Sequence, residues 1–597
     1  MNKEEFRQLI DEIEPESNLE QRMLEGVHTH QKKSRKTRNT ILSICMVLVV
    51  LLAVPAYISG LPVPRGKENE RTISDEISED DFIRFASKKE YEKYVKDNFV
   101  EEEGDFSIFS GLRAKGNFAY AVEEAAVDYA AEDTALNPSS NENFGQTYLQ
   151  VEGVDEADTL KNDGKYIYYL GSSGVRIYDK NKKLVGTISK DDFDGWIADL
   201  FRYKEQLIVI GSDNNDGQKT KVVVYDLNHI KEPKSVDTFV QSGIYTNSRR
   251  IGDMLYVVSN MNIFPGEIYP KANGKEMPVE DICCVPNPDN KSTVVVSAIN
   301  LTDMSSKKCT KAIVGAGSEV YCNQDNMYLT ASHYDYKKDL ITSTILKIKL
   351  GKEVEFVASA KLKGEIHNQY SLDEKDGYLR VAITETSDQG KDICNLYVLD
   401  ENLKTVGELK KIAVDESIKA VRYLGNVAYV ITYEETDPLF CIDLKNPKNP
   451  KILGSVKISG FSSVLMPIGE DQVLGIGYYT QNEDYTDLEV QEGVKLVLFD
   501  TSDKKHPKVL DTKVYKDCYS EAQYSAKNVV LYGDDYLIPM QYNTDQGGLL
   551  QIGIEGDKLN IKTQFATDQM VTAMKVTYID NTGYCLCDDD IDSTTFK

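Results

Sequence analysis

Tryptophan is almost missing: Trp196 stands alone beside 36 tyrosines and 18 phenylalanines. Repeats built on a Trp-Asp dipeptide or a Trp-bearing Asp box are thereby excluded. Histidine is scarce, with 6 in 597 residues. No Gly-x-Ser-x-Gly, His-Glu-x-x-His or P-loop occurs, so no nucleophile elbow, zinc-protease helix or phosphate cradle is written in the chain. Cys-x-x-Cys is also absent. Ten cysteines are too few for a disulfide scaffold. Apart from Cys45 they read mostly as buried thiols, with a Cys309–Cys322 bridge as an alternative. Cys283 and Cys284 lack the second ligand pair that zinc needs. Positive charge is short, 69 Lys and Arg against 96 Asp and Glu, a net charge of −27. Nucleic acid and anionic lipid surfaces need basic patches, so both are disfavoured as partners.

The first 39 residues hold two short amphipathic patterns. Phe6, Leu9, Ile10 and Ile13 fall on one helical face, and Pro15 ends it. Ser17 and Glu20 form a capping box for a second helix carrying Leu19, Met23, Leu24 and Val27. Helices this short gain stability only by burying such faces, so Phe6, Leu9, Ile13 and Leu24 are the expected contacts for a cytosolic regulatory protein; a frayed tail is the alternative. His28 and His30 read as solvated. Five basic residues, Lys32 to Arg38, then precede an apolar run, and no charge occurs between Arg38 and Arg65. About 20 residues at ~1.5 Å rise span a ~30 Å hydrocarbon core. The spacing therefore predicts a transmembrane helix over 40–60, and the basic flank predicts a cytoplasmic N-terminus with the rest outside. A cleaved signal peptide at Val54-Pro-Ala56 is the rival. Residues 61–145 read as an acidic linker with short helices, one starting at the Ser87/Glu90 capping box and placing Tyr91, Tyr94 and Val95 on one side.

From about residue 156 the chain repeats: an apolar run, a loop, a second β run often ending in Asp, a charged turn and a last strand. Clear pairs are Leu207–Gly211 with Lys221–Asp226, Val427–Thr432 with Leu439–Asp443, and Val473–Gly477 with Val494–Asp500. Four strands per ~45 residues is the arithmetic of propeller blades. Eight whole units and a fragment ending at Lys597 can be counted. The fold class read from this is all-β, a propeller of about eight four-stranded blades with nine possible, over 146–597.

The stretch Gln150-Val-Glu-Gly-Val-Asp-Glu-Ala-Asp158, followed by Lys161-Asn-Asp-Gly-Lys-Tyr-Ile-Tyr168, resembles the signature of a family of bacterial and archaeal secreted or membrane-anchored proteins with a C-terminal β-propeller. The resemblance covers roughly residues 80–597. This chain has Thr159-Leu-Lys161-Asn where the family usually has a β-branched residue and Lys-Thr. The resemblance implies a propeller and an extracytoplasmic location, and it implies no activity.

A propeller must close its ring or expose strand edges. The last unit lacks a strand, and Gln146–Val151 is a spare one, so it is expected to pair in the blade containing Gly583–Cys587. Asp155, Glu156 and Asp158 read as an acidic surface turn, with cation binding as the sharper alternative; Asp588, Asp589, Asp590 and Asp592 read the same way. Ser212–Gly217 has part of a calcium-loop spacing, but Val223 stands where the bidentate Glu belongs. His229 and His506 occupy equivalent charged turns and read as solvated; His333 and His367 complete the histidines of this region. No catalytic, cofactor or metal residue is expected. The functional expectation is a membrane-anchored, non-enzymatic module binding an extracytoplasmic protein or ligand. The alternatives are a transmembrane signalling protein and a hydrolase or lyase built from propeller loops.

Overall fold

The computed structural model describes residues 77–78, 82–99 and 143–596, apart from several short loops within the last range. Nine sheets follow one another along the chain, antiparallel except where Ile282–Cys284 adds parallel to Cys309–Val314. They are numbered here as blades 1 to 9. Blade 1 runs from Leu160–Asn162 to Leu184–Ser189, blade 2 from Gly195–Tyr203 to Lys234–Ser242, and blade 3 from Ile244–Ile251 to Cys309–Val314. Blade 4 runs from Glu319–Cys322 to Glu355–Lys363, blade 5 from Leu372–Lys375 to Thr405–Val414, and blade 6 from Ser417–Leu424 to Lys451–Ile458. Blades 7 and 8 end on Lys508–Lys516 and Lys558–Thr567, and blade 9 is Lys575–Ile579, Thr582–Cys587 and Asp590–Thr595. Blades 1 to 8 each have a four-stranded core, and blade 9 has three strands.

The ring is closed by side-chain packing between every neighbouring pair. Tyr168 and Val175 of blade 1 share an apolar cluster with Leu207 and Val223 of blade 2. Comparable clusters join each following pair through blade 9. Ile579, Tyr584 and Leu586 of blade 9 then pack with Ile167, Tyr169 and Tyr178 of blade 1. Each cluster interleaves the inward-alternating β-branched and aromatic residues of two sheets, the arrangement that strand periodicity dictates.

The recurrent Asp at the end of a third strand has a local cause. Asp179, Asp226, Asp400, Asp443 and Asp500 each accept the backbone N–H two residues on, starting the turn into the fourth strand. Lys451 and Lys508, the first residues of two fourth strands, lie 3.3 and 3.0 Å from Asp443 and Asp500. A side-chain and a backbone hydrogen bond from Ser502, followed by the hydrogen bond and charge of Lys508, hold the Asp500 carboxyl down at about 2.

Helix α1 (Lys88–Phe99) buries Tyr91, Val95 and Phe99. Tyr91 donates to the Ile268 carbonyl, and Ile83–Arg84 pairs with the added strand Ile282–Cys284 of blade 3. The transmembrane helix expected over 40–60 lies outside the described residues. Among those described, no helix is long and apolar enough to cross a membrane. The longer of the two α-helices among the described residues, α1, has 12 residues, a rise of about 18 Å against a core of about 30 Å. The single-pass reading and the membrane localisation drawn from it are corrected accordingly and set aside. Phe6, Leu9, Ile13 and Leu24 also lie outside the described residues. All nine described cysteines are free, Cys309 and Cys322 included.

Candidate functional site

Residues 143–159 run as a strap against the first strands of blades 9, 6, 3 and 2. Its first contact is with blade 9. Gly145 donates to the Tyr578 carbonyl, Asp580 donates to that of Asn143, and Phe144 bridges Ile579. The approach is close: a Cβ on Gly145 would lie 2.6 Å from Thr577 Oγ1 and 2.9 Å from Val530 Cγ1. The expected strand at 146–151 does not form. The chain reaches the blade containing Gly583–Cys587 three residues earlier, on the inner edge of its first strand. Val154–Glu156 instead adds antiparallel to Ile244–Ile251 of blade 3, with Asp155 opposite Arg250 and Glu156 opposite Arg249.

That register brings opposite charges together. Arg250 lies 2.8 Å from Asp155, and Arg249 lies 3.5 Å from Glu156 with both side chains 1% exposed. Lys527 reaches Glu156 at 3.4 Å, and Lys575 reaches Asp158 at 2.7 Å. Lys161 binds Asp155 at 3.1 Å and donates to the Glu156 carbonyl. Burial pushes the Asp158 carboxyl up, but the charges of Lys575, Lys161 and Lys527 and the Lys575 hydrogen bond bring it below its ordinary value. The three acids are therefore neither a surface turn nor a cation site. They are buried or half-buried partners of the protein's own cations. Further anchors come from Arg422, which donates to Tyr148 Oη at 2.6 Å, and from Gln324, which donates to the Glu152 carbonyl. Asp158 exchanges backbone hydrogen bonds with Leu200 of blade 2. Nine blades exceed the usual four to eight, and this strap touches the first strands of blades 9, 6, 3 and 2.

Beside the strap lies a small pocket, open to solvent at its mouth. Its lining is Asn368, Tyr370, Ala420, Val421, Ser463, Val464, Leu465, Tyr524 and Ala526. These residues lie on or just before the first strands of blades 5 to 8. Tyr148 of the strap shares an apolar cluster with Val464, Ala526 and Tyr370. Asn368 caps the 3-10 turn that presents Tyr370. Tyr524 sits between two further 3-10 turns, held by the Ser520/Gln523 capping box and by Gln523 donating to the Gly477 and Gly493 carbonyls.

A row of aromatic rings leads from this wall. Tyr519 and Tyr478 flank Tyr524 with centroids 5.6 and 5.9 Å away, Phe461 follows Tyr478 at 4.8 Å, and Tyr433 follows at 5.1 Å. Lys419 Nζ stands 5.8 Å from the Tyr433 ring. Burial and the Tyr524 hydroxyl hold the Tyr478 phenol far above its ordinary value. His367, next to Asn368, is an exposed residue; the protein packed about its ring and the Lys419 charge lower its imidazole, while a hydrogen bond with the Lys419 backbone raises it. A large part of its surface is open, so water reaches the ring and moderates the shift. Sequence reasoning missed Tyr370, Tyr524 and the aromatic row. The one available signal was the Ser520-x-x-Gln523 box, which marks an ordered turn.

Among the described residues no group of three or more His, Cys, Asp or Glu is placed to hold a metal. His229 and His506 are exposed in their turns. Of the calcium-like loop, residues 214–217 lie outside the described residues.

The family model described as "Beta propeller domain" matches residues 144–594. An uncharacterized protein of Methanocaldococcus jannaschii is 28% identical over 557 residues, covering 78% of this chain and 82% of its own length. An uncharacterized protein of Archaeoglobus fulgidus is 28% identical over 476 residues, covering 64% and 72%. Among solved structures, BamB from Moraxella catarrhalis aligns over 75% of this chain and 96% of its own, with 11% identity and a TM-score of 0.30. The β-propeller domain of the Trilobed protease from Pyrococcus furiosus aligns over 59% and 95%, with 10% identity and a TM-score of 0.30.

Proposed function

We propose, from the premise that this chain belongs to the beta propeller domain family, that it is a non-enzymatic binding module whose ligand enters the cavity between blades 5 and 8. The observation that supports this most is the pocket itself, open to solvent at its mouth, with Tyr370 and Tyr524 among its lining. Small-ligand sites combine an apolar, aromatic wall with a few fixed polar groups. Here Asn368 and Ser463 supply the polar groups, and two capped turns hold the rings rigid before any ligand arrives, which lowers the ordering cost of binding. The chemistry that fits is a flat apolar face carrying a hydrogen-bonding edge.

The test is a thermal-shift panel of small aromatic and heteroaromatic compounds on the whole protein, repeated with Tyr524→Ala and Tyr370→Ala. The reading expects ligand-dependent shifts that both variants lose while keeping their unliganded melting temperature. Turnover on ester, sugar or peptide panels that disappears in His367→Ala would overturn it.

A further inference from the structure

Blade 9 stops one strand short. In blades 1 to 8 a fourth strand covers the third, and the third is buried; in Gly493–Asp500 of blade 7 every residue but the last is buried. The third strand of blade 9, Asp590–Thr595, contains no buried residue. Its hydrogen-bond phase follows from one contact. Phe596 donates to the Asn581 carbonyl at 2.8 Å, and the register pairs Gly583 with Thr594, Cys585 with Asp592 and Cys587 with Asp590. Hydrogen-bonded and non-bonded pairs alternate in an antiparallel ladder. Ile591, Ser593 and Thr595 therefore direct their amides and carbonyls away from the sheet. Among the described residues no strand pairs with that edge.

The charge beside the edge selects the occupant. Four carboxylates, Asp588, Asp589, Asp590 and Asp592, lie on this strand and the turn before it. Arg176 pairs with Asp589 at 2.8 Å and Lys182 with Asp592 at 3.4 Å, and Asp590 stands exposed on the strand itself. A second copy of this chain, bringing the same edge, would set Asp590 and Asp592 against their equivalents, and like charges facing each other across a ladder are destabilising. A basic strand meets the opposite field.

We propose that the outer edge of blade 9 is a strand-addition site that takes an extended, lysine-bearing segment of a partner protein. The backbone ladder supplies affinity and the carboxylates supply sign selectivity, the division of labour of strand addition in general. The proposal is independent of the cavity reading, since the two sites share no residue.

The experiment uses the full chain and a fluorescent seven-residue peptide that alternates Lys with Val and Thr, with a Glu-for-Lys counterpart as control. Anisotropy should report binding of the basic peptide only. Hydrogen exchange should find the amides of Ile591, Ser593 and Thr595 fast in the free protein and slowed by the peptide. Ser593→Pro removes an outward N–H without touching the inner ladder, as edge strands allow, and should weaken binding by about tenfold or more with an unchanged melting temperature. Asp590→Lys should weaken the basic peptide and favour the acidic one. The proposal is overturned if those amides are already protected in the free protein, which would mean that another part of this chain or a second copy covers the edge. Absence of peptide binding, or equal binding by both variants, overturns it as well.

Discussion

Lys575 Nζ lies 2.7 Å from Oδ1 of Asp158, although 417 positions separate them in sequence. The carboxylate is 5% exposed. The contact ties the strap to the last blade and thus the beginning of the ring to its end. A buried ion pair is weak evidence of net stability, but removing one partner strands the other charge in low dielectric.

Asp158→Ala and Lys575→Ala should each destabilise the protein, by about 3 kcal/mol for a pair this buried. The double variant should lose clearly less than the sum, because the second removal leaves no stranded charge. Chemical unfolding of the four proteins measures the coupling, and strictly additive losses would speak against a direct pair.

Acid should loosen the strap. The folded Asp158 carboxyl titrates below its unfolded value of about 3.9. A depressed folded pKa contributes stability above the unfolded pKa and loses it as pH falls through the folded one. From about pH 7 down to about pH 4 this contribution should be constant, and below about pH 4 it should fall. Melting curves of the parent and of Asp158→Asn should converge below that point. Curves that stay parallel would remove Asp158 from the account.

Gly145→Val should destabilise through sterics alone. A Cβ there would lie 3.1 Å from the Tyr578 backbone nitrogen, beside the closer contacts on Thr577 and Val530. Overpacking of this kind costs about 1–3 kcal/mol. An unchanged melting temperature would mean that the strap does not lie against blade 9 this closely.

Tyr148→Phe removes the hydroxyl that accepts from the buried Arg422 guanidinium. Loss of a hydrogen bond to a charged group costs about 1.5–3 kcal/mol. The loss is read in the same unfolding experiment, and a neutral substitution would show that Arg422 finds another acceptor.

The repeat was legible because second and third strands are apolar on both faces, as in Leu207–Ile210 and Leu496–Phe499, and because a third-strand Asp marks the turn in several blades. First strands were harder to see. Ser417–Leu424 carries Lys419 and Arg422 among its apolar residues, since it faces the strap and cavity as well as its own sheet. The signature stretch stood out as a motif, but its role did not. Three acids within four residues look solvated until Arg249, Lys527 and Lys575 are brought to them, and those cations come from three different blades or the turns before them. The aromatic row was hidden for the same reason: Tyr433, the Phe461–Tyr478 pair and Tyr524 come from three successive units and are joined into one row only across blade interfaces. Ring closure was expected from a strand completing blade 9. Phe144 touches that blade on its inner edge instead, so the blade stays three-stranded.

The most direct test of the strap compares thermal melting of chains beginning at residue 140 and at residue 159. The second lacks the ladder to blade 3, the Asp158 and Glu156 ion pairs and the Tyr148 anchor. The account predicts that it melts lower by more than about 5 °C, since several kcal/mol are lost together. Equal melting temperatures would contradict it, because the ring would then close without the strap.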